Sequence, residues 1–221
     1  MNEALLFVFV CIYCPQEVLD MLIDLPYIRE RAVEYALRWA LSRNPLFIDF
    51  TGQGGDCTNF VSQCVLAGSC VMNDTLDFGW YYFSSANRAP AWSGVRYFYD
   101  FVTGAPAFVR ENGGTGPFGV EVPTQRVMMG DVVQLANAQG TYYHTLIVTG
   151  FDGDDFLVCA HSDDARNRPL STYNYATARF LHILGTRALL ENEECYRQLL
   201  DGTAYRPLSC ASDGALLLPP M

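Results

Sequence analysis

Between Asp131 and Leu184 the chain reads as a series of short strands. Asp131–Ala136, Tyr142–Thr149 and Phe156–His161 are rich in β-branched and aromatic residues, and Arg179–Leu184 alternates weakly. Asn137–Gly140 and Phe151–Asp155 are turn-like and short enough for hairpins, so these segments are expected to pair antiparallel. Upstream the period is helical. In Tyr27–Arg43, Ile28, Ala32, Ala36 and Ala40 recur every fourth residue, and Val33, Leu37 and Leu41 widen the apolar stripe. Asp24 is placed to cap this helix, and Asn44-Pro45 to end it. Helices first and strands afterwards predict an α+β fold with a helix packed on an antiparallel sheet.

A glycine-rich turn, Thr51–Asp56, leads into a second helical run from Cys57 to Ala67, with Gly68 suited to the left-handed residue past its end. This arrangement puts Cys57 in the first turn of a helix. An ordinary thiol, with a pKa of about 8.5, is only slightly ionised at neutral pH. Unpaired N–H groups and the helix dipole lower that value, and they can also stabilise an oxyanion. A core cysteine after a tight turn is the plainer reading of Cys57, so its chemistry needs a partner.

His144 is that partner, an unusual residue inside the apolar run Tyr142–Val148. A strand crossing the nucleophile helix brings imidazole to thiol, the pairing used in covalent catalysis. The chain has only 3 histidines. His161 ends the neighbouring predicted strand and is expected to hydrogen-bond to His144 and fix its tautomer, with Asp163 and Asp164 as alternative orienting groups. His182 is assigned to structure. Cys57, His144 and His161 also make a conceivable zinc ligand set, although no short-spaced ligand pair and no evident carboxylate base accompany them.

Phe78–Thr103 is densely aromatic, around Trp80 and Trp92. Such clusters mostly form core; a groove wall that stacks on sugar rings is the alternative. Gly94–Val102 reads as a helix and Gly104–Pro123 as a long loop. Half of the 221 residues are hydrophobic and 17% are charged, enough apolar material for a core without a disulfide framework, so the 8 cysteines are expected to be reduced. The net charge of −10, with no cluster of Lys and Arg, argues against nucleic acid. Met1–Cys14 is apolar but starts with Glu3 where an export signal has basic residues, and it is too short for a membrane span. No signal is expected, and a reducing, cytoplasmic setting is slightly favoured. The expected organisation is an apolar extension (1–26), one catalytic domain (27–186), and a C-terminal helix at Asn192–Leu200 with its tail (187–221).

Several motifs together carry a resemblance. They are Arg31–Ala36, Gly55-Asp56-Cys57-Thr58-Asn59-Phe60-Val61-Ser62-Gln63-Cys64, Trp80-Tyr81-Tyr82, Gly130–Val133, His144-Thr145, His161-Ser162, Asp164 and Pro169-Leu170. The segment from about Tyr27 to Ile183 resembles the putative amidase domain family, a branch of the wider group that holds the NlpC/P60 and CHAP cysteine peptidases. The resemblance implies a papain-like fold of NlpC/P60 type, with Cys57 as nucleophile, His144 as general base and His161 as the third polar residue. It also makes Asp56 a candidate substrate contact, and Gln53 a candidate oxyanion donor by analogy with a papain-like glutamine. Where relatives have Asp-Cys-Ser-Gly this chain has Asp56-Cys57-Thr58-Asn59, a departure that bears on specificity more than on reaction type. The implied activity is cofactor-free hydrolysis of a peptide or other amide through an acyl-cysteine, with bacterial cell-wall peptides (peptidoglycan fragments) favoured. Acyl transfer to an amine, a zinc-dependent hydrolase and an inactive binding module of the same fold are the alternatives.

Overall fold

The computed structural model describes residues 22–111, 114–188 and 195–203; the Met1–Cys14 segment and the tail beyond 203 lie outside them. Helix α1 (Arg29–Trp39) buries Ala32, Tyr35, Ala36 and Trp39. Asp24 does not cap it. The register of β1 (Ile23–Leu25) against the end of the last described strand aligns Asp24 with Arg187, which it meets at 3.0 Å, and Ile28 takes the cap position. The start of α1 is pinned instead by Arg29, which reaches the buried Asp131 at 2.5 Å and the carbonyl of Ile183.

Helix α2 (Cys57–Ser69) is buried along its whole length. Gly68 lies within it, and Cys70 takes the left-handed conformation, with φ of 53°. Gly68 serves a different need from the expected one: a Cβ there would meet Cε2 of Tyr27 at 2.3 Å. The bare backbone admits that ring and lets the Gly68 carbonyl accept the Ile28 N–H at 2.9 Å, which ties α1 to α2.

Short helices α3 (Pro90–Ser93), α4 (Val95–Val102) and α5 (Pro106–Glu111) follow. The stretch expected to be a long loop therefore contains α5, and also β2 (Gly116–Val122). Glycine and proline weaken a strand's intrinsic preference, but pairing overrides it here. β2 runs antiparallel to β7 (Thr177–Ala188), and a Cβ on Gly119 would sit 2.4 Å from the His182 carbonyl oxygen.

The remaining strands are β3 (Val132–Ala136), β4 (Tyr142–Asp152), β5 (Asp155–Ala160) and β6 (Ala165–Pro169). All pairs are antiparallel, in the order β1-β7-β3-β4-β5-β6 with β2 also on β7. The registers put β2 along one edge of β7, with β1 and β3 on the other. The result is a mixed α/β architecture on a curled antiparallel sheet. One face packs on the helices, where Val132, Ile147 and Leu181 meet Ala36, Phe60 and Val65. The other carries Val133, Leu135, Leu146, Val148 and Phe180. Trp80 and Trp92 are fully buried in the first layer and donate to Ser62 Oγ and Asn59 Oδ1, so the aromatic segment is core. α6 (Cys195–Asp201) is the last described helix; the expected start at Asn192 lies outside the described residues. Among the described residues no helix is long and apolar enough to cross a membrane.

Candidate active site

Cys57 opens α2 and is 7% exposed. The turn before it is built around backbone that only glycine adopts readily. Gly55 has φ of +108°, and a Cβ there would lie 3.4 Å from Ser162 Oγ. That hydroxyl accepts the Asp56 N–H at 2.5 Å, satisfying one of the helix's unpaired first-turn donors.

Asp56 is completely buried and its carboxylate is fully engaged. Oδ1 accepts from the Phe50 N–H at 2.9 Å and from Asn59 Nδ2 at 2.8 Å. Oδ2 meets His161 Nδ1 at 2.7 Å. The other nitrogen of His161, Nε2, donates to the Trp39 carbonyl at 2.9 Å, and the ring stacks on Phe60. The hydrogen bond expected between His161 and His144 is therefore not made. Burial at the foot of α2 commits both nitrogens of His161 to the scaffold, and Asp56 has no free oxygen to offer a substrate.

The edge of β4 explains how a helix end reaches the sheet. The register with β5 begins at Ile147, which leaves the segment around Thr145 without a strand partner on that side among the described residues. The first turn of α2 fills the gap. The Thr145 N–H lowers the pKa of the Cys57 thiol, and the hydroxyls of Thr145 and Thr58 share a hydrogen bond of 2.9 Å. Thr58 Oγ1 lies 3.8 Å from Cys57 Sγ. These threonines have no signal of their own in the sequence beyond adjacency to Cys57 and His144.

His144, 9% exposed, lines the same cleft of about 520 Å³ as Cys57, together with Tyr143, Asp163, Arg168 and Tyr173. Neither of its ring nitrogens has a hydrogen-bond partner among the described residues, and Nε2 is sealed from solvent. Asp163 pairs with Arg168 at 2.6 Å, whereas Asp164 turns away to Arg43 at 2.9 Å. Gln53 is exposed on the turn and does not line the cleft. The zinc set does not converge, because His161 is committed elsewhere; among the described residues no three His, Cys, Asp or Glu side chains are grouped to hold a metal ion.

Charge in this cleft is governed by burial. Desolvation pushes the Cys57 thiol above its ordinary value, while the Thr145 N–H and the Thr58 hydroxyl and N–H pull it back. The lowering expected from the helix terminus is thus outweighed. Burial also holds His144 below the usual histidine value, against the pull of Asp163. Both shifts favour a neutral thiol beside a neutral imidazole.

The family model described as "Putative amidase domain" matches residues 26–184, well over half of the chain. The chain belongs to the putative amidase domain family. Cys57 and His144 both fall inside the matched segment. The "Uncharacterized protein YhbB" of Bacillus subtilis (strain 168) is 32% identical over 157 residues, 69% of this chain and 46% of that protein. The chain thus matches less than half the length of that relative. No solved structure matches it. The five cysteines that lie among the described residues, Cys57, Cys64, Cys70, Cys159 and Cys195, are all free.

Proposed function

We propose that this amidase domain is a cysteine hydrolase of papain-like, NlpC/P60 type that cleaves an amide through an acyl-Cys57 intermediate. The reading is supported by one juxtaposition above all. A thiol at the mouth of α2 lines the same cleft as a histidine whose ring nitrogens have no hydrogen-bond partner among the described residues.

In the first step the Cys57 thiol proton passes to His144 as sulfur attacks the amide carbonyl carbon. The oxyanion forms beside the first-turn N–H groups of α2, which have no carbonyl of their own helix to bond. Collapse breaks the C–N bond, and His144 returns the proton to the leaving amine. Water then attacks the thioester carbonyl, giving a carboxylic acid and the original thiol. The neutral starting pair makes proton transfer part of the attack, so His144 is an obligatory base and not just the counter-ion of a preformed thiolate.

The substrate class is a peptide amide, with peptidoglycan peptides as the first to test in view of the sequence resemblance to NlpC/P60 and CHAP enzymes. The experiment is a chromatographic screen of peptidoglycan fragments and simple peptide amides with the parent protein and with Cys57→Ala. Cleavage by the parent alone is the expected result; equal cleavage by Cys57→Ala overturns the assignment. Iodoacetamide labelling at neutral pH addresses the inactive-module alternative, in which Cys57 reacts no faster than the other cysteines.

A further inference from the structure

We propose that Tyr173 is the positioning partner of His144, with His144 Nε2–H donating to Tyr173 Oη in the reactive state. This inference rests on the Cys57–His144 reading above.

Two buried polar atoms face the same problem on the same side of the sheet. His144 Nε2 and Tyr173 Oη are both sealed from solvent and both lack a hydrogen-bond partner. Their rings lie 6.0 Å apart and are inclined by 39°. Alternation along β4 puts His144 on the face of Leu146 and Val148, the layer against which Tyr173 also packs. One hydrogen bond between these two atoms satisfies both, and a buried polar group left unpaired is costly. A phenylalanine fills the same space without that cost, so the hydroxyl needs a reason.

The segment that carries Tyr173 is fixed on both sides of it. Arg168 donates to Thr172 Oγ1 at 2.9 Å and to the Thr172 carbonyl at 3.1 Å, while its guanidinium lies 4.0 Å over the Tyr173 ring. Beyond it, the Tyr143 hydroxyl donates to the Asn174 carbonyl at 3.0 Å. Arg168 is held in turn by Asp163. These contacts hold the backbone on either side of Tyr173 and one face of its ring, which suits a group that must hold another at a set angle.

The tautomer follows from the direction of the bond. With the hydrogen on Nε2 and donated to Tyr173, the lone pair is on Nδ1, free to take the thiol proton of Cys57. After the transfer Nε2–H still donates, now from an imidazolium, so the bond strengthens as charge develops. Burial raises the Tyr173 hydroxyl to about 12, so it stays neutral and acts as an acceptor through the neutral range.

The test follows iodoacetamide labelling of Cys57 by peptide mass mapping across pH, with the ¹⁵N signals of the His144 ring, in the parent, Tyr173→Phe and His144→Ala. Tyr173→Phe is expected to slow Cys57 labelling at neutral pH roughly tenfold, a part of the roughly 100-fold or more that a positioned base contributes. It should also shift the labelling midpoint and lose the Nε2–H tautomer, with an unchanged melting curve. Parent-like rate, midpoint and tautomer in Tyr173→Phe, together with slow labelling in His144→Ala, overturn this inference alone. Parent-like labelling in His144→Ala overturns the Cys57–His144 reading beneath it. Tyr173→Gln, which restores an acceptor oxygen, is expected to recover part of the rate, an effect that ring packing by itself does not give.

Discussion

The Asp56 carboxylate meets the His161 imidazole at 2.7 Å, one residue before the thiol of Cys57. This contact joins the foot of α2 to the end of β5 across 105 residues of chain. An asparagine keeps an oxygen for the Phe50 and Asn59 donors but turns an amide NH₂ group, in place of a carboxylate oxygen, towards His161 Nδ1 in a dry environment. Asp56→Asn is expected to cost about 3 kcal/mol or more, the usual penalty for breaking a buried pair from one side. Denaturant unfolding measures it. His161→Phe should behave alike, with lost stability in proportion to lost activity; a stable, inactive His161→Phe would instead make His161 part of the chemistry.

Cys57→Ala is expected to abolish turnover with a melting curve close to the parent's. Cys64, in the same helix but with no exposed surface, should do the opposite. Cys64→Ala leaves activity largely intact and costs about 1 kcal/mol for the small cavity it leaves. Parallel activity and melting measurements separate the two roles.

The two shifted groups predict how stability responds to pH. His144 is held low by burial, so as pH falls the unfolded chain takes up that proton before the folded one does. Its contribution is present above the ordinary histidine value of about 6.5 and is lost as pH drops through the folded value. Cys57 is held high, so its contribution is present below the ordinary thiol value and is lost as pH rises through the folded one. His144→Phe should flatten the acid limb of a plot of unfolding midpoint against pH, and Cys57→Ala the alkaline limb. Retention of both slopes in the two variants contradicts the burial argument.

Gly68→Ala tests the close contact of α1 and α2. Alanine ordinarily stabilises a helix interior by about 1 kcal/mol relative to glycine. Here its methyl group would meet the Tyr27 ring at 2.3 Å, and that ring is anchored by its hydroxyl on the Gly130 carbonyl at 3.0 Å. The sign should therefore reverse, to a loss of about 1–3 kcal/mol in thermal or denaturant unfolding. Tyr27→Phe combined with Gly68→Ala, which frees the ring to move, should recover part of it.

What the sequence made legible was whatever local pattern controls. The fourfold spacing from Ile28 to Ala40 gave α1, and the β-rich runs around Val133, Leu146 and Val158 gave three central strands within a residue or two at most ends. Strands whose formation depends on a distant partner were not readable: β2 carries glycines and a proline, and β6 reads Ala-Arg-Asn-Arg-Pro, so only pairing with β7 and β5 makes them strands. At the candidate site, Cys57 and His144 were singled out through residue type and context, and both line one cleft. His161 bonds to Asp56 and not to His144, because order along the chain shows that two strands are neighbours but not which way a ring turns once a buried aspartate competes for it. Tyr173 escaped notice for a related reason: a tyrosine after a short 3₁₀ turn carries no mark of what lies above it.

The hydroxyl pair of Thr58 and Thr145 stitches a helix from the first third of the molecule to a strand from its last half. Neither fragment on its own possesses the crevice, and a ribosome must release nearly the whole domain before the stitch can close. The change in Cys57 labelling rate that burial brings would then serve as a clock for the final docking event, reporting when the two parts of a newly made chain have found each other.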